Sequence, residues 1–351
     1  MGLIFWASPC LACSGPSPSP SPDPSGLPNV VHNYIPLNGT NITMHVAEMG
    51  CSGSAGTILF LHGFPELWYS WRHQMTFFSA KGYRTIAPDL RGYGETSGAP
   101  TTINNSTVLH VLGDIVGLLE ALGLERVYLV AHDWGANLAW LLCMMRPDKI
   151  IALVNSSIFF NPRNPKYPPT VTYAKALTDG FYIMRFQKAG DAEEAFALVG
   201  TETVIRTFMT INQTEPLVIP TNKSIATFFQ GPQVPLPSWL TQDDLDYFTS
   251  KFNKTGFTGG LNYYRALDLS WELTAAWTGA QITVPAKFLI GEFDMTYKFP
   301  GVKETIASKS YKKLIPNLEE VVVMKGVGHF PNQVKADEFN KEVYNFIISK
   351  H

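Results

Sequence analysis

The sequence is poor in the features that define several large protein classes. It contains no run of about 20 apolar residues, the length that a membrane-spanning helix needs. Its 27 basic and 29 acidic residues leave a net charge of −2, which argues against nucleic-acid binding because such proteins usually carry a basic surface. Four cysteines in 351 residues are too few for a disulfide framework. What remains is a mixed globular chain, 45% hydrophobic, long enough for about two units of roughly 150 residues.

Several catalytic and ligand-binding motifs are also missing. No H-E-x-x-H, paired C-x-x-C or EF-hand pattern occurs, so the sequence predicts no metal site. No G-x-S-x-G run occurs, which disfavours a serine esterase. The glycines of segment 92–98 are spaced one residue too widely for a dinucleotide loop, and no helical pattern follows them directly. We therefore expect no cofactor.

The first 28 residues differ from the rest of the chain. They hold seven of the 25 prolines, mostly alternating with serine, and such a segment cannot bury enough apolar surface to fold. We predict a disordered tail over 1–28. No Lys or Arg precedes Arg72, which disfavours signal and transit peptides, and the final residues Ser349, Lys350 and His351 differ by one from a peroxisomal signal. We expect a cytoplasmic protein, with peroxisomal and secreted locations left open.

Short apolar runs alternate with amphipathic stretches over most of the remaining chain. Continuous apolar runs predict strands that are covered on both faces, and their alternation with helices predicts a mostly parallel sheet with helices on both faces. A turn at Asn38-Gly39 predicts a hairpin between 30–37 and 42–48. The other predicted strands are 57–61, 85–87, 127–131, 151–154, 286–290 and 321–324, and the predicted helices lie near 68–80, 108–122, 136–146 and 333–349.

This alternation stops between about 160 and 275. The segment is rich in aromatic, proline and polar residues and lacks strong strand patterns. We predict a helical lid over 160–275, inserted into an α/β core formed by 29–159 and 276–351.

Asp133 is the strongest candidate for a catalytic residue. It directly follows a predicted buried strand, His132 and Gly135 flank it, and a helical pattern begins just after it. This is the strand–turn–helix setting of the nucleophile elbow, with Asp in place of Ser. An Asp has a reference pKa near 3.9 and is already an anion at pH 7, so it needs no base to become a nucleophile.

Two backbone donors are predicted beside Asp133. The segment His62-Gly63-Phe64-Pro65 follows the preceding strand, where hydrolases of this type supply an oxyanion-hole N–H group, here that of Phe64. The N–H group of Trp134 is the second predicted donor. Pro65 permits a cis bond that would fix this turn. We expect His62 and Pro65 to contact the substrate.

A base and an orienting acid are still required. Asp294 follows the strand 286–290 and His329 follows the strand 321–324, both at the strand ends where open α/β sheets bind ligands. The order Asp133, Asp294, His329 is the nucleophile–acid–histidine order of α/β-hydrolases. We predict that His329 is the general base and that Asp294 orients it, with Glu292 as the competing acid.

These motifs together resemble those of plant-type soluble epoxide hydrolases within the α/β-hydrolase superfamily. The resemblance runs from about residue 29 to the C-terminus. Haloalkane and fluoroacetate dehalogenases share several of the motifs, so a dehalogenase and a non-catalytic receptor on the same fold remain alternatives. The matching segments are 62–72, 89–94, 132–135, Asp294 and 328–329.

Two lid segments resemble those that carry the lid tyrosines of epoxide hydrolases. They are 181–187 and 262–265, and by this resemblance Tyr182 and Tyr264 hydrogen-bond the epoxide oxygen, with Tyr263 as the alternative to Tyr264. The resemblance implies hydrolysis of an epoxide to a vicinal diol through an Asp133 ester, without metal or cofactor, by a monomer or homodimer. Aromatic residues in and beside the lid favour a large apolar epoxide; they are Phe159, Phe160, Phe181, Phe186, Phe228, Phe229 and Trp239.

Overall fold

The computed structural model describes residues 25–51, 55–211, 214–232 and 234–350. The predicted tail lies outside the described residues up to residue 24. Within the remainder of that segment Ser25 is buried, and the Tyr69 hydroxyl donates to the Ser25 carbonyl oxygen at 3.4 Å. Leu27 packs against the hydrophobic core. The packed part of the chain therefore begins before the predicted boundary at residue 29.

Within the described residues, eight strands form one mixed sheet in the order β1-β2-β4-β3-β5-β6-β7-β8. The hairpin β1–β2 is antiparallel, and β2 also pairs antiparallel with β4, whereas every later pair is parallel. Every residue of β3, β4, β5 and β7 is buried, as their apolar runs predict. The strands are β1 (Val31–Pro36), β2 (Thr43–Met49), β3 (Thr57–Leu61), β4 (Arg84–Pro88), β5 (Val127–His132), β6 (Ile150–Ser156), β7 (Ala286–Gly291) and β8 (Leu318–Met324).

Helices connect the parallel strands, and two more helices come after the last strand in the chain. This is the α/β-hydrolase arrangement expected from the sequence. In the described residues the core helices are α1 (Arg72–Ser79), α2 (Val108–Ala121), α3 (Trp134–Met145), α11 (Val302–Ala307), α12 (Lys309–Leu314), α13 (Pro331–Val334) and α14 (Ala336–Ile348). Across the described residues, no helix combines the length and the apolar character that crossing a membrane requires.

The helices between β6 and β7 occupy the segment predicted as a lid. They are α4 (Pro169–Ala176), α5 (Tyr182–Arg185), α6 (Asp191–Val199), α7 (Thr201–Met209), α8 (Gln242–Thr255), α9 (Thr258–Arg265) and α10 (Leu267–Leu273). Helix α8 begins with a capping box: Thr241 Oγ1 accepts from the Asp244 N–H at 3.1 Å, and Asp244 Oδ2 accepts from the Thr241 N–H at 2.9 Å. It ends at Gly256, whose φ of 66° suits a residue without a side chain.

Helix α8 is attached to the core by polar contacts. Arg72 Nε lies 3.1 Å from Asp244 Oδ1, and the Trp68 indole N–H donates to the Tyr247 hydroxyl at 2.9 Å. Lys251 Nζ lies 2.9 Å from a carboxylate oxygen of Glu95. The lid is therefore held against the carboxyl ends of the strands, where ligands bind in α/β folds.

Candidate active site

Asp133 lies in the tight turn between β5 and α3, with φ 51° and ψ −122°. This left-handed conformation is rare for a residue with a side chain and is typical of a functional turn. Two glycines make room for it. A methyl group on Gly135 would lie 2.2 Å from the Leu61 carbonyl oxygen, and one on Gly63 would lie 2.3 Å from Asp133 Oδ1. The nucleophile elbow thus depends on close packing of the turn against the end of β3.

The backbone of Phe64 holds the Asp133 carboxylate in place. Its N–H group donates to Asp133 Oδ1 at 2.8 Å, and the Phe64–Pro65 bond is cis. Trp134 directly follows Asp133 at the first position of α3, where backbone N–H groups have no partner within the helix. One predicted donor is therefore in contact with the carboxylate, and the other lies at the start of the helix beside it.

His329 lies between the two carboxylates predicted from the sequence. Its Nε2 atom is 3.4 Å from Asp133 Oδ2, and its Nδ1 atom is 3.0 Å from Asp294 Oδ1. Glu292, the competing acid, pairs instead with Lys325 at 2.9 Å and accepts from the Gly326 N–H at 3.0 Å. The structure therefore brings Asp133, Asp294 and His329 together and leaves Glu292 outside this group.

The two carboxylates and the imidazole shift one another's ionisation. Burial by itself would raise the pKa of Asp133, but the hydrogen bond and attraction to His329, with smaller contributions from His132 and Phe64, lower it below its usual value. Burial would lower the pKa of His329, but Asp294 and Asp133 together raise it well above its usual value. At neutral pH the ground state is therefore an Asp133 carboxylate beside a protonated His329.

Tyr182 and Tyr264 project from the lid into the same cavity as Asp133 and His329. Their ring centres are 6.0 Å apart, and Tyr264 stands edge-on to Trp134 at 4.9 Å. Burial raises the pKa of both phenols well above the usual value, and the nearby Asp133 carboxylate adds to this effect. Both hydroxyls are therefore proton donors over the whole neutral range.

The neighbouring Tyr263 has a different environment. Its hydroxyl donates to the Arg91 carbonyl oxygen at 3.0 Å, and its ring packs against Tyr93 and Trp134. It does not belong to the lining of the cavity. The geometry favours Tyr264 over Tyr263 as the second lid donor.

Apolar side chains form most of the rest of the cavity wall. The aromatic residues that the sequence singled out for a large apolar substrate are absent from the lining, and Phe160, Phe181, Phe186 and Phe229 are core residues. The lining comes instead from less conspicuous positions. Besides the residues above, it includes Pro65, Phe208, Ile211, Leu217, Met295, Thr296 and Phe330.

His62 does not line the cavity in which the predicted contact with the substrate would be made. It is fully buried, its Nδ1 atom lies 2.9 Å from the Gly63 carbonyl oxygen, and its Nε2 atom accepts from the Leu90 N–H at 3.0 Å. Burial lowers the pKa of this imidazole, which suits a neutral ring with one donor and one acceptor nitrogen. Its role is to connect the loop after β3 with the loop after β4, whereas Pro65 does line the cavity.

Two further side chains contact His329, and the sequence does not indicate either contact. His132 joins the Glu66 carboxylate (Nδ1–Oε2, 2.7 Å) to the His329 carbonyl oxygen (Nε2–O, 2.6 Å). Ser157, at the end of β6, places its hydroxyl oxygen 3.1 Å from His329 Nδ1. His132 belongs to the motif around Asp133, but the motif does not indicate this contact, and Ser157 belongs to no motif. Only the folded arrangement therefore reveals the two contacts. In the described ranges, no group of three or more His, Cys, Asp or Glu side chains is arranged to hold a metal ion.

Comparison with known proteins gives a uniform result. Residues 56–336 match the family described as alpha/beta hydrolase fold. Epoxide hydrolases 1 and 3 of Siraitia grosvenorii are 53% and 51% identical to this chain, over 91% and 90% of its length and 98% of theirs. The solved structure of potato (Solanum tuberosum) epoxide hydrolase I is 48% identical, with a TM-score of 0.85 over 91% of this chain and 99% of that one.

Proposed function

The chain belongs to the α/β-hydrolase family and, within it, to the plant epoxide hydrolases, and from this premise we propose that it opens epoxides through a covalent ester on Asp133. The observation that carries the proposal is the meeting of four groups in one cavity. A buried carboxylate, a histidine paired with it and two protonated phenols all face the same space.

Ring opening is the first step of the proposed mechanism. An oxygen of the Asp133 carboxylate attacks a ring carbon, so a carbon–oxygen bond forms and the epoxide carbon–oxygen bond breaks. The electron pair moves to the epoxide oxygen, which takes a proton from Tyr182 or Tyr264. The product is a hydroxyalkyl ester of Asp133 beside a phenolate.

Loss of the Asp133 charge then changes the state of His329. The carboxylate that helped to raise its pKa is now a neutral ester, so the imidazolium is a stronger acid. The His329 imidazolium donates a proton to the phenolate, which restores the tyrosine. The imidazole is then neutral, with a free electron pair on Nε2. The histidine thereby becomes a base only after the ester exists.

Ester hydrolysis completes the cycle. His329 Nε2 takes a proton from water, and the hydroxide attacks the carbonyl carbon of the Asp133 ester. The Phe64 N–H, with the Trp134 N–H beside it, stabilises the oxyanion. The intermediate collapses with cleavage of the bond from the acyl carbon to the diol oxygen. The proton of the resulting acid moves to the diol alkoxide, and the carboxylate–imidazolium pair is restored.

Isotope labelling under single-turnover conditions tests the ester directly. With enzyme in excess over styrene oxide in H2(18)O, the first diol molecule takes its new oxygen from Asp133, so we expect no label in the diol after subtraction of an enzyme-free blank. Later turnovers should release labelled diol, because water has replaced a carboxylate oxygen. Label in the first diol would mean direct attack by water and would overturn the mechanism.

A further inference from the structure

Ser157 lies at the end of β6 in a conformation that its residue type does not favour. Its φ is 71°, in the left-handed region, and its side chain is fully buried. A serine in this region is strained relative to a glycine and persists only where the surroundings hold it. Such a residue beside a catalytic histidine points to a functional constraint.

Two backbone hydrogen bonds hold Ser157 in this conformation. Its N–H group donates to the Leu289 carbonyl oxygen at 3.0 Å, on the neighbouring strand β7. Its own carbonyl oxygen accepts from the Thr296 hydroxyl at 3.0 Å. The turn is thereby attached to the strand and the loop that also carry Asp294.

The Ser157 hydroxyl oxygen lies beside the nitrogen that Asp294 also contacts. It is 3.1 Å from His329 Nδ1, and Asp294 Oδ1 is 3.0 Å from the same atom. The Ser157 hydroxyl also lies 3.5 Å from Thr296 Oγ1, whose own hydrogen is engaged by the Ser157 carbonyl. The Thr296 hydroxyl can therefore only accept from Ser157. With the His329 proton on Nδ1, the Ser157 oxygen is an acceptor for it.

Asp294 alone offers His329 limited support. Its Oδ1 atom accepts from the Thr296 N–H at 2.9 Å as well as facing His329. Its Oδ2 atom is buried without a hydrogen-bond partner among the described residues. A second acceptor at Nδ1 thus adds to a contact that Asp294 shares with the backbone.

We propose that Ser157 is a positioning residue that keeps the His329 proton on Nδ1, so that Nε2 is free to act as the base in ester hydrolysis. The inference rests on the proposed function and deepens it. While Asp133 is a carboxylate, its Oδ2 atom also orients the ring from the Nε2 side. Once Asp133 is esterified that charge is gone, and the orientation depends on the acceptors at Nδ1.

The charged and titratable groups that face His329 come from the ends of two strands, β5 and β7, and the two lid tyrosines line the same cavity. Asp133 follows β5 and Asp294 follows β7. The ring centre of His132 lies 4.9 Å from the ring centre of His329. Ser157 adds a neutral acceptor from β6. An acceptor at Nδ1 stabilises the imidazolium more than the neutral ring, because a charged donor makes the stronger hydrogen bond.

The test compares Ser157→Gly and Ser157→Ala with a matched control, Ser156→Ala. Ser156 is the adjacent buried serine, and its hydroxyl donates to the Ala131 carbonyl oxygen rather than to His329. Both Ser157 variants lose the hydroxyl, but only glycine relieves the left-handed strain. Ring opening and ester hydrolysis are measured separately with styrene oxide in rapid-quench experiments over a range of pH.

We expect both Ser157 variants to hydrolyse the ester about tenfold more slowly at neutral pH, with little change in ring opening. The acid limb of the pH profile for ester hydrolysis should also move to lower pH. The imidazolium has lost a hydrogen-bond acceptor, so the pKa of His329 falls. Ser156→Ala should keep the wild-type rates and profile. An unchanged limb and rate in Ser157→Gly, or the same defect in Ser156→Ala, would overturn the inference. Failure of the wild-type enzyme to form an ester would count against the proposed function instead.

Discussion

Asp133 and His329 stabilise each other's charged form in the free enzyme. Against the effect of burial, His329 lowers the pKa of the Asp133 carboxyl below its usual value, and Asp294 and Asp133 raise the pKa of the His329 imidazole well above its usual value. In the proposed mechanism, the same pairing allows one histidine to serve both half-reactions. Protonated His329 stabilises the Asp133 carboxylate before the reaction. It becomes a base once Asp133 is esterified and has lost its negative charge.

This relation predicts different pH dependences for the two half-reactions. Ring opening needs the Asp133 carboxylate, whose lowered pKa keeps it ionised at about pH 5, so its rate should change little between about pH 5 and 8. Ester hydrolysis needs neutral His329, so its rate should fall as the pH falls and the ester should accumulate in acid. Quenched-flow measurement of both rates checks this. A hydrolysis rate that stays flat down to about pH 4 would contradict it.

The lid tyrosines give a second prediction at single positions. The double variant Tyr182→Phe with Tyr264→Phe lacks both hydroxyls and should open the ring about 100-fold or more slowly. The reason is that no phenol then protonates the alkoxide as it forms. Tyr263→Phe is the matched control, since that hydroxyl donates to the Arg91 carbonyl oxygen outside the cavity. Single-turnover kinetics of ester formation measure the effect. Equal rates in the double variant and the control would remove the tyrosines from the mechanism.

At the scale of elements, the elbow between β5 and α3 depends on two close backbone approaches. Gly63 and Gly135 leave no space for a methyl group, whereas Gly113, in the middle of α2, has no atom within 4 Å of such a group. The glycine near the nucleophile is therefore required by packing, and the one in the helix is not.

These glycines predict opposite effects of the same substitution. Gly135→Ala should lower the free energy of unfolding by about 2 kcal/mol or more, because the new methyl group meets the Leu61 carbonyl. Gly113→Ala should raise it by about 0.5 to 1 kcal/mol, because alanine is the better helix former. Denaturant titration of both variants measures the difference. A Gly135→Ala variant as stable as the wild type would show that the elbow tolerates a side chain.

The elements themselves could be predicted from the sequence because their signals are local. In the described residues, each of the strands β3 to β8 coincides with an apolar run, and the β1–β2 hairpin coincides with the Asn38-Gly39 turn. Asp133 stands at a strand end followed by a helix. Asp294 and His329 could be chosen for the same reason. Asp294 follows directly on β7 and His329 closely follows β8.

Other features depend on contacts between distant parts of the chain and left no local signal. Ser157 reaches His329 across 172 positions, and nothing in its own neighbourhood distinguishes it from Ser156. Phe208 and Leu217 line the cavity, but nothing in the sequence distinguishes them from other apolar residues of the lid. The sequence predicts a contact between His62 and the substrate, but only the fold shows that backbone atoms engage both of its ring nitrogens.

At the scale of the whole molecule, the residues of the proposed active site are divided between the two parts of the chain. The core carries Asp133, Asp294 and His329, and the lid carries Tyr182 and Tyr264. The site is therefore complete only when the lid rests on the core. The buried pair of Arg72 and Asp244 is a main polar connection between the two parts, and the Tyr69 hydroxyl adds a bond to Asp244 at 3.0 Å.

Removing this connection should destabilise the protein. Asp244→Ala leaves the buried Arg72 guanidinium without its carboxylate and should lower the free energy of unfolding by about 3 kcal/mol. Asp243→Ala is the matched control, because this residue is exposed in the same first turn of α8 and should cost about 0.5 kcal/mol. Denaturant titration compares the two. Equal losses would mean that the ion pair does not hold the lid.

The central claim, a covalent ester on Asp133, is tested most directly by the intact mass of the His329→Gln variant after mixing with styrene oxide. This variant should form the ester but lack the base that hydrolyses it. We predict a mass gain equal to the whole epoxide, located by peptide mapping at Asp133 and absent when Asp133→Ala is added. A gain from a haloalkane alone, as the alkyl group without halogen, would instead indicate a dehalogenase. No adduct, or one at another residue, would contradict the account.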